Sequence, residues 1–93
     1  MPIDEIDYTS LPAHMQHGMK LYVEKGIAPG SFLTAVLCND LMEACARADD
    51  TNLYALPTYA RWLYNRVPAT CFGSREAFEA WIAKGGLEGR KAA

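Results

Sequence analysis

The sequence predicts a small all-α domain with a kinked or broken central helix, and three observations support this prediction. Apolar residues recur at helical spacing between residues 11 and 82, and no run shows the alternation typical of a strand. Glycine and proline interrupt that pattern where helices would end. The chain has 93 residues, which is enough for one domain, and 51% of them are hydrophobic.

The first predicted helix follows an acidic arm formed by residues 1–9. Ser10 is its expected N-cap. The helix is expected to run to Lys25 and to end at Gly26, a residue type that favours helix C-termini. Gly18 lies in the centre of its apolar face, where glycine lowers helix propensity. Either another backbone approaches closely at that point, or the glycine is simply tolerated.

The second helical pattern covers residues 31–48 and is apolar on nearly every side except for one acid, Asp40. Ser31 is its expected N-cap, directly after a turn that ends at Gly30. A helix that is apolar all round is buried on more than one side. Because a domain of this size buries a smaller share of its surface than a large one, we expect the segment to pack against other copies of the chain.

A third helical pattern follows the cap and turn residues at positions 48–52. Its predicted apolar face consists of Leu53, Leu56, Ala60, Leu63, Tyr64 and Val67. Pro57 either kinks this helix or lies in its first turn. The second and third patterns are therefore either one kinked helix or two helices with a tight break near Asp50, and Pro68 ends the third.

The last predicted helix covers residues 75–84 and begins after Ser74, its expected N-cap. Gly85 and Gly86 are expected to end it. Residues 87–93 are then expected to form a flexible, frayed tail. The predicted organisation is a single helical domain over residues 1–93.

The overall charge argues against binding to polymeric nucleic acid. The formal net charge is −2 and the sequence pI is about 5.6, whereas sequence-independent DNA or RNA binding requires a basic surface. No apolar run approaches the length of a membrane span, and the acidic N-terminus is unlike a signal peptide. The chain has 3 cysteines without CxxC spacing. We therefore expect a reducing, cytoplasmic location and no membrane partner.

Two groups of residues are candidates for chemistry, and each has a structural alternative. His14 and His17 are close enough on one helix to share a metal ion, but nothing else in the sequence completes a ligand set, so we expect solvent-facing histidines. Asp40, Glu43 and Arg47 could form an acid/base site, a structural salt bridge or a hydrogen bond between subunits. The sequence contains no nucleophile signature and no glycine-rich phosphate loop. We expect no catalysis, no metal and no cofactor.

Aromatic residues and cations alternate along much of the chain. The aromatic residues are Tyr8, Tyr22, Tyr54, Tyr59, Trp62 and Tyr64, and the cations are Lys20, Lys25, Arg61 and Arg66. Nucleotide-binding sites use such pairs, because a flat ring stacks on the base while a cation binds the phosphate. Aromatic residues at helical spacing also build cores, so the pattern alone does not decide between the two.

Two spaced motifs in this sequence resemble a family of small phage proteins, the anti-CBASS cyclic-nucleotide sponges. The first is the run LPAHMQHGMKLYVEKGIAPGSFLTAVLCNDLMEACARADDTN, and the second is LYNRVPATCFGS. The likeness covers residues 8 to about 82. The agreement of two separate motifs makes the resemblance fairly specific.

The resemblance implies a helical protomer in a homohexamer that binds cyclic oligonucleotides and does not consume them. Cyclic dinucleotides would lie between paired protomers, where Tyr8 contacts a base and Lys25 binds a phosphate. Cyclic trinucleotides would occupy separate pockets where three protomers meet, bound by Arg66. Such a protein would act in the cytoplasm of the bacterial host and withhold these second messengers from CBASS effectors.

Two other classes of function remain open on the sequence. A small phage inhibitor that binds a host defence protein directly would also be small, acidic and oligomeric. A structural or regulatory oligomer without a ligand would share the same composition. Nucleotide bound to the purified protein would separate the first interpretation from both alternatives.

Overall fold

The computed structural model describes residues 6–92. This part of the chain contains α-helices and one short 3-10 turn, and it contains no strand, so the prediction of an all-α fold is confirmed. The helices are α1 (Ala13–Lys25), α2 (Ser31–Leu37), α3 (Leu41–Arg47), α4 (Asp50–Tyr54), α5 (Leu56–Arg66), α6 (Arg75–Ala83) and α7 (Gly86–Ala92), and the 3-10 turn is Ala69–Cys71.

The first helix starts later than predicted and ends where predicted. Its N-cap is Pro12, and the Ser10 side chain makes no capping hydrogen bond, so the assignment of Ser10 as N-cap is wrong. The reason is steric, because a residue before proline is disfavoured in the helical region, and Leu11 instead closes a turn onto the carbonyl of Tyr8. Gly26 adopts the left-handed conformation, with φ 70°.

The apolar segment at residues 31–48 is divided into two helices, and the prediction of one continuous helix there is wrong. α2 ends at Leu37, Asn39 adopts a φ of 61°, and α3 begins after Asp40. The Asp40 carboxylate accepts a hydrogen bond from the Glu43 N–H at 3.2 Å. Asparagine tolerates the left-handed region and aspartate caps helices. Asp40, the one acid in the predicted apolar helix, therefore marks the start of α3.

The N-terminus of α2 also differs from the prediction. Gly30 is the N-cap and Ser31 is the first helical residue, without a side-chain capping bond, so the assignment of Ser31 as N-cap is wrong. The Thr34 hydroxyl instead donates to the carbonyl of Pro29 at 3.3 Å.

Between α3 and α5 the chain breaks at Ala48 and Asp49. Asp49 caps α4 by accepting a hydrogen bond from the Asn52 N–H at 2.8 Å. Pro57 lies in the first turn of α5, where its missing N–H breaks no helical hydrogen bond. α5 ends at Arg66, before Pro68.

The core lies between α1, α2, α5 and α6 and is rich in aromatic residues. Tyr22, Tyr59 and Trp81 are fully buried. Each also has a hydrogen-bond partner: the Tyr22 hydroxyl donates to the carbonyl of Cys71 at 2.7 Å, and the Tyr59 hydroxyl donates to the Asn52 side chain at 2.8 Å. The Trp81 indole N–H donates to carbonyls at the end of α1 at 3.0 and 3.2 Å. These bonds let large amphipathic rings fill the core without leaving polar atoms unpaired.

The buried face of α5 is only partly the one predicted. Leu63 and Val67 are buried as predicted, whereas Tyr64 is 82% exposed and Leu53 in α4 is 44% exposed. Two aromatic residues of α5 that were not on the predicted face are buried as well and have hydrogen-bond partners: Tyr59 and Trp62.

The chain continues as a helix after residue 86, so the prediction of a frayed tail is wrong for the residues the structure describes. α7 packs against α1, and the two backbones meet at Gly26 and Gly86. A Cβ on Gly86 would lie 2.6 Å from the Gly26 nitrogen, which leaves room for glycine alone. At Gly18, by contrast, a Cβ would meet only the Leu33 side chain at 3.7 Å. Of the two alternatives left open for Gly18, the structure of the protomer supports a tolerated glycine, and the close approach of two backbones occurs at Gly26 instead.

Candidate ligand-binding clefts

Arg66 lies in a polar cleft between α5 and the segment that precedes α1. This arginine cleft has a volume of about 340 Å³ and is lined by Ser10, Thr58, Arg61, Trp62, Asn65 and Arg66. Arg61 and Arg66 are both exposed. Among the described residues, neither arginine has a carboxylate within ion-pair distance. Two guanidinium groups provide phosphate donors in one cleft, and Trp62, which is only 3% exposed, forms part of its wall.

The wall of the arginine cleft is fixed by a hydrogen bond to the N-terminal segment. The Trp62 indole N–H donates to the carbonyl of Asp7 at 2.7 Å. The hydroxyl and the backbone N–H of Thr9 hydrogen-bond the Asp7 carboxylate and lower its pKa, and the positive charge of Arg66 adds to the same effect. The segment before α1 is therefore attached to α5 at the tryptophan that lines the cleft.

Tyr8 is half-buried in this segment and is held at both ends. Its hydroxyl donates to the Glu24 carboxylate at 2.9 Å, and its ring packs against the Trp62 ring with centroids 5.3 Å apart. Burial, followed by the hydrogen bond to Glu24 and the negative charge of that carboxylate, raises the pKa of Tyr8 well above its ordinary value. Glu24 itself is only 7% exposed. Tyr8 thus presents a fixed ring whose hydroxyl is already engaged.

A second polar cleft lies on the other side of this segment, and Tyr8 is one of its walls. This N-terminal cleft has a volume of about 480 Å³. It is lined by Ile6, Asp7, Tyr8, Thr9, Ala13, Gln16, His17 and Lys20. Lys25 does not line it.

Lys25 lies at the end of α1 and is engaged by the C-terminal helix. Its ammonium group is 3.2 Å from a carboxylate oxygen of Glu88 in α7, and both side chains are about half exposed. Within one protomer the structure therefore does not bring Tyr8 and Lys25 into the same cleft. A pocket formed by two protomers, as the resemblance implies, stays a prediction.

An apolar groove separates α3 from α5. It has a volume of about 260 Å³, and its apolar lining is Val36, Leu41, Ala44, Leu56, Ala60, Leu63, Tyr64 and Phe72. Leu41 is 65% exposed, and Met42 beside it is 81% exposed. Most of the apolar face predicted for the third helix is found here, on the open side of the molecule.

The other candidate residues have structural roles. His14 bonds the Asp49 carboxylate at 3.1 Å. Arg47 and Glu43 form the ion pair expected one helical turn apart, and Asp40 is an exposed helix cap. No group of three His, Cys, Asp or Glu side chains that could hold a metal ion occurs in the described residues.

Sequence reasoning missed two features of these clefts. It did not assign Arg61 to the same site as Arg66, because residues five apart on a helix lie about 140° apart around its axis, although both line one cleft. It gave no role to Glu24, because the partner of this buried carboxylate lies 16 residues away in an irregular segment.

Comparisons with known proteins add no relative to this description. No family model matches the chain, and neither a curated protein nor a solved structure matches it significantly. None of the helices in residues 6–92 is long and apolar enough to cross a membrane.

Proposed function

We propose that this protein is a non-catalytic phage sponge that binds cyclic oligonucleotide second messengers and so blocks CBASS antiphage immunity. The arginine cleft is the observation that carries the proposal. It combines Arg61 and Arg66 with the Trp62 ring, and among the described residues it has no carboxylate in its lining. The resemblance of the sequence to the sponge family supports the same function.

The chemistry of the cleft suits a ligand with several phosphates and bases. A guanidinium group donates two parallel hydrogen bonds to a phosphate, and its charge is permanent. The side chains of Ser10, Thr58 and Asn65 add neutral donors and acceptors to the same cleft. A cyclic trinucleotide carries its phosphates on a ring, so an assembly in which several copies of Arg66 converge would bind all of them. The family resemblance implies the trinucleotide site at Arg66, and the chemistry of the cleft supports that assignment.

The proposal includes assembly of the chain into a homo-oligomer, with a hexamer as the expected form. The apolar groove and the exposed side chains beside it, Leu41, Met42 and Tyr64, give the physical support. An apolar surface of this kind on a small domain is typical of a protein interface. The working location of such a sponge is the cytoplasm of the bacterial host.

Direct binding with recovery of the ligand tests the proposal. Purified protein is titrated calorimetrically with 3′,3′-cyclic di-GMP, cyclic di-AMP and cyclic triadenylate, and its mass is measured by light scattering. Bound ligand is then released by heat and analysed by chromatography. We expect saturable binding to an oligomer and recovery of the intact cyclic ligand. A linear product would indicate an enzyme, and no binding to any of the three ligands would contradict the proposed function.

Direct inhibition of a host defence protein is a second candidate, favoured by the apolar groove. In that case the groove would bind the host protein instead of another copy of this chain. A Tyr64→Ser variant distinguishes the two, because Tyr64 lines the groove and is 82% exposed. Suppose that the variant keeps its oligomeric mass and its nucleotide affinity and yet no longer protects the phage from CBASS immunity in infected cells. That result would favour direct inhibition.

A further inference from the structure

The C-terminus of α1 meets the N-terminus of α7, and each of these helix ends carries a charged residue. Lys25 is the last residue of α1, and Glu88 lies in the first turn of α7. The Lys25 ammonium nitrogen is 3.2 Å from a carboxylate oxygen of Glu88. A cation is favourable at a helix C-terminus and an anion at a helix N-terminus. The two residues therefore form an ion pair across the junction of α1 and α7, in which each charge also suits its own helix end.

The backbone fixes this junction independently of the ion pair. Gly26 and Gly86 approach so closely that a Cβ on either would lie less than 3 Å from the backbone of the other. The Trp81 indole N–H donates to two carbonyls in the last turn of α1 at 3.0 and 3.2 Å. The fold itself therefore holds the Glu88 carboxylate near the Lys25 ammonium group.

The surroundings of the Lys25 ammonium group are unfavourable to an anion from solution. The Glu88 carboxylate and the C-terminal end of α1 both contribute negative potential there. Both side chains of the pair are about half exposed, so solvent screens the pair and a second anion can displace the carboxylate. A phosphate group that binds Lys25 must therefore compete with Glu88.

The corresponding cation of the arginine cleft has no such competitor. No carboxylate lies within ion-pair distance of Arg66 in the part of the chain that the structure describes. The two cations that the family resemblance assigns to phosphate therefore differ in their surroundings, because Lys25 is paired within the protomer and Arg66 is not. Removal of the Glu88 charge should affect only ligands that contact Lys25.

We propose that Glu88 competes with ligand phosphate for the ammonium group of Lys25 and so lowers the affinity of the protein for cyclic dinucleotides relative to cyclic trinucleotides. This inference rests on the proposed function and adds to it a residue that determines selectivity between the two classes of ligand. Because the Glu88 side chain is half exposed, it can turn into solvent when phosphate binds while α7 stays packed on α1.

Charge-removing variants test the competition. Glu88→Gln removes the negative charge and keeps an oxygen that can accept a hydrogen bond from Lys25, and glutamine has nearly the helix propensity of glutamate. Glu79→Gln is the matched control, because Glu79 is exposed on α6, lines none of the three clefts and forms no ion pair with any residue that the structure describes. Lys25→Gln, alone and combined with Glu88→Gln, completes a double-mutant cycle. Folding and mass are checked by circular dichroism and light scattering, and 3′,3′-cyclic di-GMP and cyclic triadenylate are titrated into each protein by calorimetry.

We expect Glu88→Gln to bind cyclic di-GMP about threefold more tightly than the wild type, as removal of an exposed competing ion pair would. The affinity for cyclic triadenylate, and both affinities of Glu79→Gln, should change by less than about 1.5-fold, because salt screens charges at a distance. In the Lys25→Gln background, Glu88→Gln should have no further effect on binding of cyclic di-GMP.

Several results would overturn the inference and leave the proposed function intact. These are binding of cyclic di-GMP by Glu88→Gln that is unchanged or weaker, an equal gain in Glu79→Gln, an equal gain for both ligands, or a gain that persists without Lys25. Failure of the wild-type protein to bind any of the cyclic nucleotides would instead contradict the proposed function. In that case, binding of cyclic di-GMP by Glu88→Gln alone would still support the competition, and no binding by this variant would overturn it as well.

Discussion

The hydrogen bond from Tyr8 to Glu24 is expected to be a main source of stability for the segment that separates the two polar clefts. Tyr8→Phe removes only the hydroxyl group and keeps the ring that packs on Trp62. The Glu24 carboxylate, 7% exposed and bonded to Tyr8 at 2.9 Å, would then lose that donor. A buried acceptor without a partner is costly, and for a charged group the cost exceeds that of a neutral one.

The magnitude follows from the charge and burial of the acceptor. A hydrogen bond to a charged group contributes about 1.5–3 kcal/mol. We expect the lower half of that range, about 2 kcal/mol, because the half-exposed Tyr8 leaves a path for water to replace the hydroxyl. For a domain of this size the loss corresponds to a fall in Tm of roughly 8–15 °C.

Urea and thermal unfolding, followed by circular dichroism at one fixed protein concentration, measure this loss. Tyr54→Phe is the matched control, because the Tyr54 side chain is 86% exposed and its change is expected to stay within about 0.5 kcal/mol. Glu24→Gln keeps an oxygen that can accept from Tyr8 and should cost less than Tyr8→Phe. If Tyr8→Phe and Tyr54→Phe have equal free energies of unfolding, the reasoning about Glu24 is wrong.

Three further predictions concern glycine, arginine and pH. Gly86→Ala should destabilise the protein by at least about 1 kcal/mol, because the added Cβ would lie 2.6 Å from the backbone nitrogen of Gly26. Gly18→Ala should stabilise the protein by up to about 1 kcal/mol. Urea midpoints measure both changes, and changes of the same sign would contradict this account. Arg66→Ala should abolish binding of cyclic triadenylate and largely spare binding of cyclic di-GMP in calorimetry. Arg75→Gln, which removes an exposed charge on α6, should leave both affinities unchanged. Equal loss of both ligands in Arg66→Ala would mean a damaged fold. Burial raises the pKa of Tyr22 and Tyr59, so their contribution to stability is complete below their unfolded pKa of about 10 and is lost as the pH rises above it. In a Tyr54→Phe, Tyr64→Phe double variant, which lacks the two highly exposed tyrosines, absorbance at 295 nm that rises before unfolding would refute their burial.

Local signals made parts of the fold predictable. Ser74 accepts the expected capping bond from the Ala77 N–H at 3.0 Å, and Gly26 ends α1 in the expected conformation. Both depend on the residue itself and on neighbours within one helical turn. The all-helical class could be predicted for the same reason, since helical periodicity is a local property.

The break between α2 and α3 could not be predicted from apolar periodicity, because the pattern continues through α3 although that helix is largely exposed. Only Ala44 is buried there. The signal that was present was the Asn39–Asp40 pair, a residue that tolerates the left-handed region followed by a capping residue. It was outweighed by the apolar residues on both sides.

The candidate site was predictable in its residue types and less so in its arrangement. Arg66 does lie in a cleft with Trp62, and both come from one helix. The partners of Tyr8 and Lys25 are 16 and 63 residues away, respectively. Pairings over such distances depend on how the helices pack, which no local pattern in a single sequence encodes.

The contact between Gly26 and Gly86 also determines how this fold can diverge. A side chain at either position would meet the backbone of the other at less than 3 Å, so the two positions cannot vary independently. A substitution at one of them is not compensated by a smaller residue at the other, since glycine is already the smallest. Distant relatives that keep α7 against α1 should therefore retain both glycines even where the surrounding sequence has changed. A glycine directly after α1 together with a glycine at the start of α7 is thus a criterion for recognising such relatives.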